Sequence, residues 1–218
     1  MTCEHGGHRV PAAYRSLFRG RGALLASHRG WDPGALELAR RFGRPLAAAT
    51  TTRLLVDLNR SAGHPRLFSE ATRDLDAAAK ARLLARHYVP YRAAVEAAVR
   101  ARRSVLHLSV HSFTPVMDGE RRRMDVGLLY DPARRGEAAL CARWRRELLR
   151  RRPGVAIRRN APYRGTADGL VTHLRRRLPE ARYWGVELEV NQKHVGGARG
   201  TWRAIQAALV ASLRAALR

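Results

Sequence analysis

The sequence predicts a single α/β domain over residues 1–218, a mostly parallel twisted sheet flanked by helices. Three observations carry this. Stretches of strand character alternate with stretches of helical periodicity, the pattern of parallel strands joined by crossover helices. A chain of 218 residues is long enough for one sizeable core and too short for two ordinary domains with a linker. No internal repeat, low-complexity tract or linker composition interrupts the alternation.

Each element has its local reason. "TCEHGGH" leaves a very short strand before His5 and two glycines. "DPGALELARRFG" reads as a helix, with Asp32 as cap, Pro33 in the first turn and Gly43 at the end. "PLAAATTTRLLVDLNRS" holds a strand-like section and then a polar loop. The helical stretch "SEATRDLDAAAKARLLARHYVPYRAAVEAAVRAR" is bent or broken near Pro90, which cannot donate a backbone hydrogen bond. "SVLHLSVHSF" is a strand that ends on His111, Ser112 and Phe113, and "MDVGLLYDP" is another that ends in a turn. "GEAALCARWRRELLRRRPG" is an amphipathic helix stopped by Pro153 and Gly154. "VAIRRNAPY" is a strand, "TADGLVTHLRRRLP" a helix, "YWGVELEVNQ" the last long strand, and "TWRAIQAALVASLRAALR" a closing helix.

The formal net charge of +24 raises a nucleic-acid reading. Yet nearly all the basic residues are arginines spread along the chain; Lys80 and Lys193 are the only lysines. No aromatic interleaving marks a base-stacking platform. A solvated arginine-rich surface is the simpler account, so nucleic acid is not expected as the main partner. No apolar run reaches the roughly 18 residues of a membrane span. "MTCEHGGHRVP" lacks the charged start and apolar run of an export signal. Cys3 and Cys141 form neither a disulfide framework nor a cysteine zinc motif, so a reducing, cytoplasmic setting is expected.

In open α/β sheets, ligands bind beyond the carboxyl ends of the strands. Those tips carry His5; His28 and Asp32; Asp57, Asn59 and Arg60; His111 and Ser112; and Glu187 and Glu189. Each has an ordinary structural alternative: Asp32 as a helix cap, Arg60 paired with Asp57, Glu187 in a salt bridge. As a set they point to a site. Asn160 and Tyr163 are candidate pocket-lining residues, and Asp125 and Asp131 either orient ligands or end their strand. His64, His87, His107, His173 and His194 have no such company and read as structural or surface residues.

The segments "CEHGG", "HRGWDPGALELARRFG", "RLLVDLNR", "VHSFTP", "DVGLLYDP" and "ELEVNQ" resemble, in kind and order, the N-formylglutamate amidohydrolases over almost the whole chain. That family is similar in fold to zinc carboxypeptidases and zinc muramoyl-alanine amidases, so the resemblance implies a zinc-exopeptidase-like hydrolase fold. It further implies one zinc ion held by His5, His111 and Asp32, with His28 and His8 as alternates for the third ligand. Here the sequence departs from the carboxypeptidases, which carry a glutamate where His8 stands. A catalytic zinc needs about three such ligands and one open position. Glu189 is implied as the general base, with Glu187 two residues away on the same sheet face. Arg60 is implied as a carboxylate clamp, because a guanidinium fork matches a carboxylate. Asn59 and Ser112 are implied as further substrate contacts. Only Met1 to Glu4 precede His5, where the family places a first strand, so either that strand is minimal or the chain starts late. The implied activity is metal-dependent hydrolysis of an N-acyl amino acid, a small-molecule substrate of the N-formylglutamate kind. Another N-acyl or peptide-like amide, or non-catalytic polyanion binding by the arginine-rich surface, is the alternative.

Overall fold

The computed structural model describes residues 1–197 and 199–218. In chain order the strands are β1 (Thr2–Cys3), β2 (Ala47–Ala48), β3 (Val105–Phe113), β4 (Val116–Met117), β5 (Glu120–Arg121), β6 (Val126–Leu129), β7 (Ile157–Arg159) and β8 (Tyr183–Asn191). The helices are α1 (Gly22–Ala26), α2 (Ala35–Phe42), α3 (Ala77–Leu83), α4 (Val89–Arg100), α5 (Arg135–Arg151), α6 (Leu170–Arg175) and α7 (Arg199–Ala216). Six strands form one sheet in the order β2-β1-β3-β8-β6-β7, and β4 and β5 form a separate hairpin. All neighbours in the sheet run parallel except β6 against β8. The sheet is therefore mostly parallel, and its one reversed pairing is a feature that apolar patterning cannot reveal.

The sheet is built around β3 and β8, which pair in register from Val105 with Tyr183 to Phe113 with Asn191. Alternation gives the pair two unlike faces. Leu108, Val110, Val186, Leu188 and Val190 point to a core shared with α2, α5 and α7. Ser109, His111, Glu187 and Glu189 point the other way, yet all are buried. Lower on that second face, His107 sits between the Thr2 hydroxyl at 2.8 Å and the Tyr183 hydroxyl at 2.7 Å. Burial pushes its pKa down to about 3. It is structural, as its isolation in the sequence implies.

The helical stretch is not broken near Pro90 but changes its hydrogen-bond pattern: a π-helical segment over Leu84–Tyr88 joins α3 to α4 through right-handed helical backbone, just before Pro90, which has no N–H to donate. The helix begins later than the sequence pattern implies: Asp76 caps α3 by accepting from Ala79 N at 2.6 Å, and the residues before it form turns. The minimal β1 is extended by bonds past its formal end, Gly6 N to Ala49 O at 2.9 Å and Arg9 N to Thr50 O at 3.0 Å.

Candidate active site

Asp32 is the pivot. The N-cap of α2 is Gly34, at φ 78°, and no side chain caps that helix. A left-handed residue two places after Asp32 turns the chain so that the carboxylate leaves the helix axis and enters the protein. Asp32 Oδ2 lies 2.9 Å from His111 Nδ1 and 3.3 Å from His5 Nδ1, and its Oδ1 lies 3.4 Å from Arg53 Nη1. The capping alternative is thereby removed. Backbone positioning is firm as well, since Asp32 N donates to His5 O at 2.9 Å.

Both imidazoles present Nδ1 to Asp32, and a second buried carboxylate holds each Nε2. His5 Nε2 lies 2.8 Å from Asp57 Oδ1. His111 Nε2 lies 3.2 Å from Glu4 Oε2 and 2.9 Å from Ser109 Oγ, and that hydroxyl itself donates to Glu4 Oε2 at 2.8 Å. Arg53 Nη2 closes the ring on Asp57 Oδ2 at 2.7 Å. Glu4, His5, Asp32, Asp57 and His111 are all buried. Burial disfavours the charge on Asp32, but His5, His111 and Arg53 outweigh it and hold its pKa far below the ordinary carboxylate range. Asp57 is held low in the same way, against its own burial, by Arg53 and His5. Burial also opposes charge on His111, yet the hydrogen bonds it donates to Asp32 and Glu4 raise its pKa well above the usual histidine value.

Glu189 stands beside this cluster, in register with His111 on the adjacent strand. Its Oε2 is buried with no hydrogen-bond partner. Burial, opposed by His111 but reinforced by Asp32 and Glu187, raises its pKa to about 8. Burial raises Glu187 too, while nearby His111 and Arg175 oppose the shift. On β6, Gly127 faces Glu189. A Cβ at Gly127 would collide with the Ala161 carbonyl, so glycine there lets the 160–165 loop close over this part of the site.

Among the described residues, one group of three His, Cys, Asp or Glu residues brings its ligand atoms within 4.8 Å of one another: His5, Asp32 and His111. Two imidazole nitrogens and a carboxylate oxygen form a donor set suited to a divalent ion of the zinc type. Of three buried carboxylates, Asp32 and Asp57 pair with the Arg53 guanidinium while Glu4 meets His111, Ser109 and Tyr91, and the Glu189 oxygen without a partner is buried beside His111's strand. These residues fit such an ion.

The other sequence candidates are placed less uniformly. Arg60 lies at the rim, with Nη1 donating to Asp168 O at 3.1 Å and Nε 4.0 Å from Asp57. Asn59 Oδ1 accepts from Leu170 N at 2.7 Å, and its Nδ2 is 3.5 Å from His111 Nε2, so this amide ties the Asp57–Arg60 loop to α6. Ser112 points away from the cluster by strand alternation; its hydroxyl donates to Pro33 O at 2.7 Å and lies 3.2 Å from Gln192 Nε2. His8 is exposed and packs on Trp31, with ring centroids 4.9 Å apart, and His28 is half-buried; neither belongs to the triad. Asp125 stands just before β6 rather than ending it, holding Ala156 N at 2.7 Å, Lys193 Nζ at 2.6 Å and His194 Nε2 at 2.8 Å. Glu4 in "CEHGG", Arg53 in "RLLVDLNR" and Ser109 two residues before His111 lie within segments already singled out, but only the folded chain brings them to the cluster.

The fold and this buried set define a single α/β domain with a mostly parallel sheet and a cluster of buried histidines and carboxylates at the carboxyl ends of its strands. The N-formylglutamate amidohydrolase family model matches residues 1–195. The chain belongs to that family of amide-hydrolysing enzymes. The gene product Atu2144 of Agrobacterium tumefaciens is similar in structure, with TM-score 0.83 and 29% identity, over 99% of this chain and 88% of that one. The N-formylglutamate amidohydrolase of Ralstonia eutropha JMP134 aligns with TM-score 0.66 and 25% identity, over 99% and 92% of the two chains. A search of curated protein sequences gave no match. No helix among the described residues is long and apolar enough to cross a membrane.

Proposed function

We propose that this chain is a metal-dependent amidohydrolase that cleaves the amide of an N-acyl amino acid of the N-formylglutamate kind. The observation that carries the reading is the buried His5–Asp32–His111 set with the unpartnered Glu189 carboxylate beside it. The name of the Ralstonia relative supports the substrate class. His5, Asp32 and His111 would hold one divalent ion, most simply zinc, which when bound supplies Lewis-acid polarisation of a carbonyl and acidifies a water.

The remaining roles belong to the chain itself. Glu189 takes a proton from the attacking water and delivers it to the leaving amine. Burial, which raises its pKa in the metal-free protein, makes it a stronger base than an exposed carboxylate. Arg60, a quarter exposed at the rim, binds the α-carboxylate of the substrate. Asp57 and Glu4 fix the two imidazoles by holding Nε2, so that Nδ1 faces inward.

Metal analysis of the purified protein, paired with hydrolysis of N-formyl-L-glutamate, tests this reading. The expected results are one ion per chain, loss of hydrolysis on chelation, and loss of both ion and activity in His111→Ala. Full metal occupancy in that variant, or hydrolysis that survives complete chelation, would overturn the assignment.

A further inference from the structure

Arg60 stands in a loop of turns, with no strand or helix to fix its shape, yet a clamp must meet its carboxylate at a set place and angle. Its main chain is pinned from the π-helical segment and α4. The Tyr88 hydroxyl donates to Arg60 O at 2.7 Å, and Arg92 Nη1 donates to Leu58 O at 3.2 Å. Its guanidinium is held from a distant part of the chain: Nη1 donates to Asp168 O at 3.1 Å. The same loop carries Asp57, which holds His5 Nε2 at 2.8 Å, so the contact is tied directly to the cluster.

Asp168 is itself fixed from the Arg60 side. Its Oδ2 accepts from Ser61 N at 2.9 Å, and its Oδ1 accepts from the Ser61 hydroxyl. Two residues further, Leu170 N donates to Asn59 Oδ1 at 2.7 Å, so the two loops are stapled on both sides of the Arg60 contact. Burial opposes the charge on Asp168, but the hydrogen bonds from Ser61 hold its pKa below the ordinary value. With its carboxylate occupied by Ser61, Asp168 forms no ion pair with Arg60 among the described residues. Arg60 is therefore oriented by a carbonyl, which accepts one N–H and leaves the positive charge in place. Among the described residues Nε and Nη2 make no hydrogen bond; Nε lies 4.0 Å from Asp57, too far for one. These two nitrogens form the side edge of the guanidinium, where two parallel hydrogen bonds to a single carboxylate are made.

We propose that Asp168 is a positioning residue: by gripping Ser61 it fixes its own carbonyl against Arg60 and so sets the direction in which the guanidinium meets the substrate's α-carboxylate. This rests on the amidohydrolase reading, with Arg60 as its clamp, and deepens it. Asp168 touches no reacting atom. It acts through Arg60, so its effect falls on the binding of the carboxylate and not on the step at the amide.

The test compares N-formyl-L-glutamate with its α-carboxamide in the metal-loaded full chain, as wild type, Asp168→Ala, Asp168→Asn, Ser61→Ala, Arg60→Ala and the double variant of Asp168→Ala with Arg60→Ala. Asp168→Ala should raise KM for the α-carboxylate substrate about 10-fold, the worth of one hydrogen bond to a charged group, and leave kcat nearly as it was. The carboxamide should not register the change. Asp168→Asn can still bond both Ser61 groups and should recover most of the loss; a loss equal to that of Asp168→Ala overturns the proposal. Ser61→Ala loosens the grip from the other side and should shift KM in the same direction, so the test survives an Asp168 variant that fails to fold. In the Arg60→Ala background the Asp168 change should add nothing further. Additive losses, or equal losses on both substrates, make Asp168 merely structural and overturn the proposal. If the wild type hydrolyses neither compound, the amidohydrolase reading fails by itself, and calorimetric binding of N-formyl-L-glutamate to the same proteins decides the positioning role. Non-additive losses in affinity support it; additive losses, or no binding, overturn it.

Discussion

The two faces of the β3–β8 pair are made from the same nine-residue strands and are buried alike, but they are stabilised in different ways. On one face Leu108, Val110, Val186, Leu188 and Val190 pack without polar partners into the main core. On the other, Ser109, His111, Glu187 and Glu189 are buried among charges, and each needs a partner to offset the desolvation it suffers. The apolar face gains free energy from every residue. The polar face is costly to bury, tolerates one unsatisfied oxygen on Glu189, and places chemistry where the apolar face has none. Conserved volume is the requirement on one side; donor and acceptor geometry is the requirement on the other.

This contrast can be broken from either side. The largest effect is expected on the polar face, in Glu189→Gln. The change keeps shape and cannot take a proton, so turnover should fall about 10²–10⁴-fold with metal content intact. Glu187→Gln should lose far less; the reverse ranking would move the base two residues upstream. The same pair of variants has a signature in the metal-stripped protein. Glu189 titrates at about 8 when folded against an ordinary 4.5. The folded state therefore holds the proton that the unfolded state has released. Stability from this group is complete below about pH 4.5 and declines as pH rises to about 8, by at most about 1.4 kcal/mol per pH unit. Denaturant midpoints measured across that window should fall less steeply with pH in Glu189→Gln than in the wild type, the remaining slope coming from His111 and Glu187; parallel slopes would contradict the shift.

Next in size is the apolar face. Leu188 is fully buried, and Val110 and Leu128 oppose it on the flanking strands. Leu188→Ala should cost about 2–5 kcal/mol of stability by the lost transfer and the cavity left behind. The metal bound per folded chain should stay unchanged, because the side chain points away from the cluster. A variant that keeps its stability and loses metal would mean that the two faces are not separable.

The smallest effect is expected behind the site. Glu4 touches His111 from the side away from Asp32, so Glu4→Gln should weaken metal binding about 10- to 100-fold in a chelator competition while sparing stoichiometry. An unchanged dissociation constant would reduce Glu4 to a packing role.

Much of this was legible in the chain itself. The alternation of elements, the helical irregularity next to Pro90 and the two-residue periods of "VLHLSVHSF" and "YWGVELEVNQ" follow from local sterics and periodicity, which act between near neighbours. The same alternation puts Glu187 and Glu189 on one face before any partner is known. With the family resemblance, His5, Asp32 and His111 could be named as one set, because each sits at the tip of an element.

What the chain alone left open is what depends on distant contacts. Whether Asp32 caps its helix or turns inward was decided by Gly34 and by imidazoles 27 and 79 residues away. Ser112, next to His111 in sequence, is turned from the cluster by the pleat and spent on Pro33. Glu4 and Ser109 meet across 105 residues, and Arg53 is one arginine among many until two carboxylates single it out. The reversal of β6 belongs with these, since a period of two reads the same in either direction and only the crossover path sets the sense. Local propensity fixes which face a residue shows. Only the packed chain, by bringing together charges that cannot be buried alone, decides what each face meets.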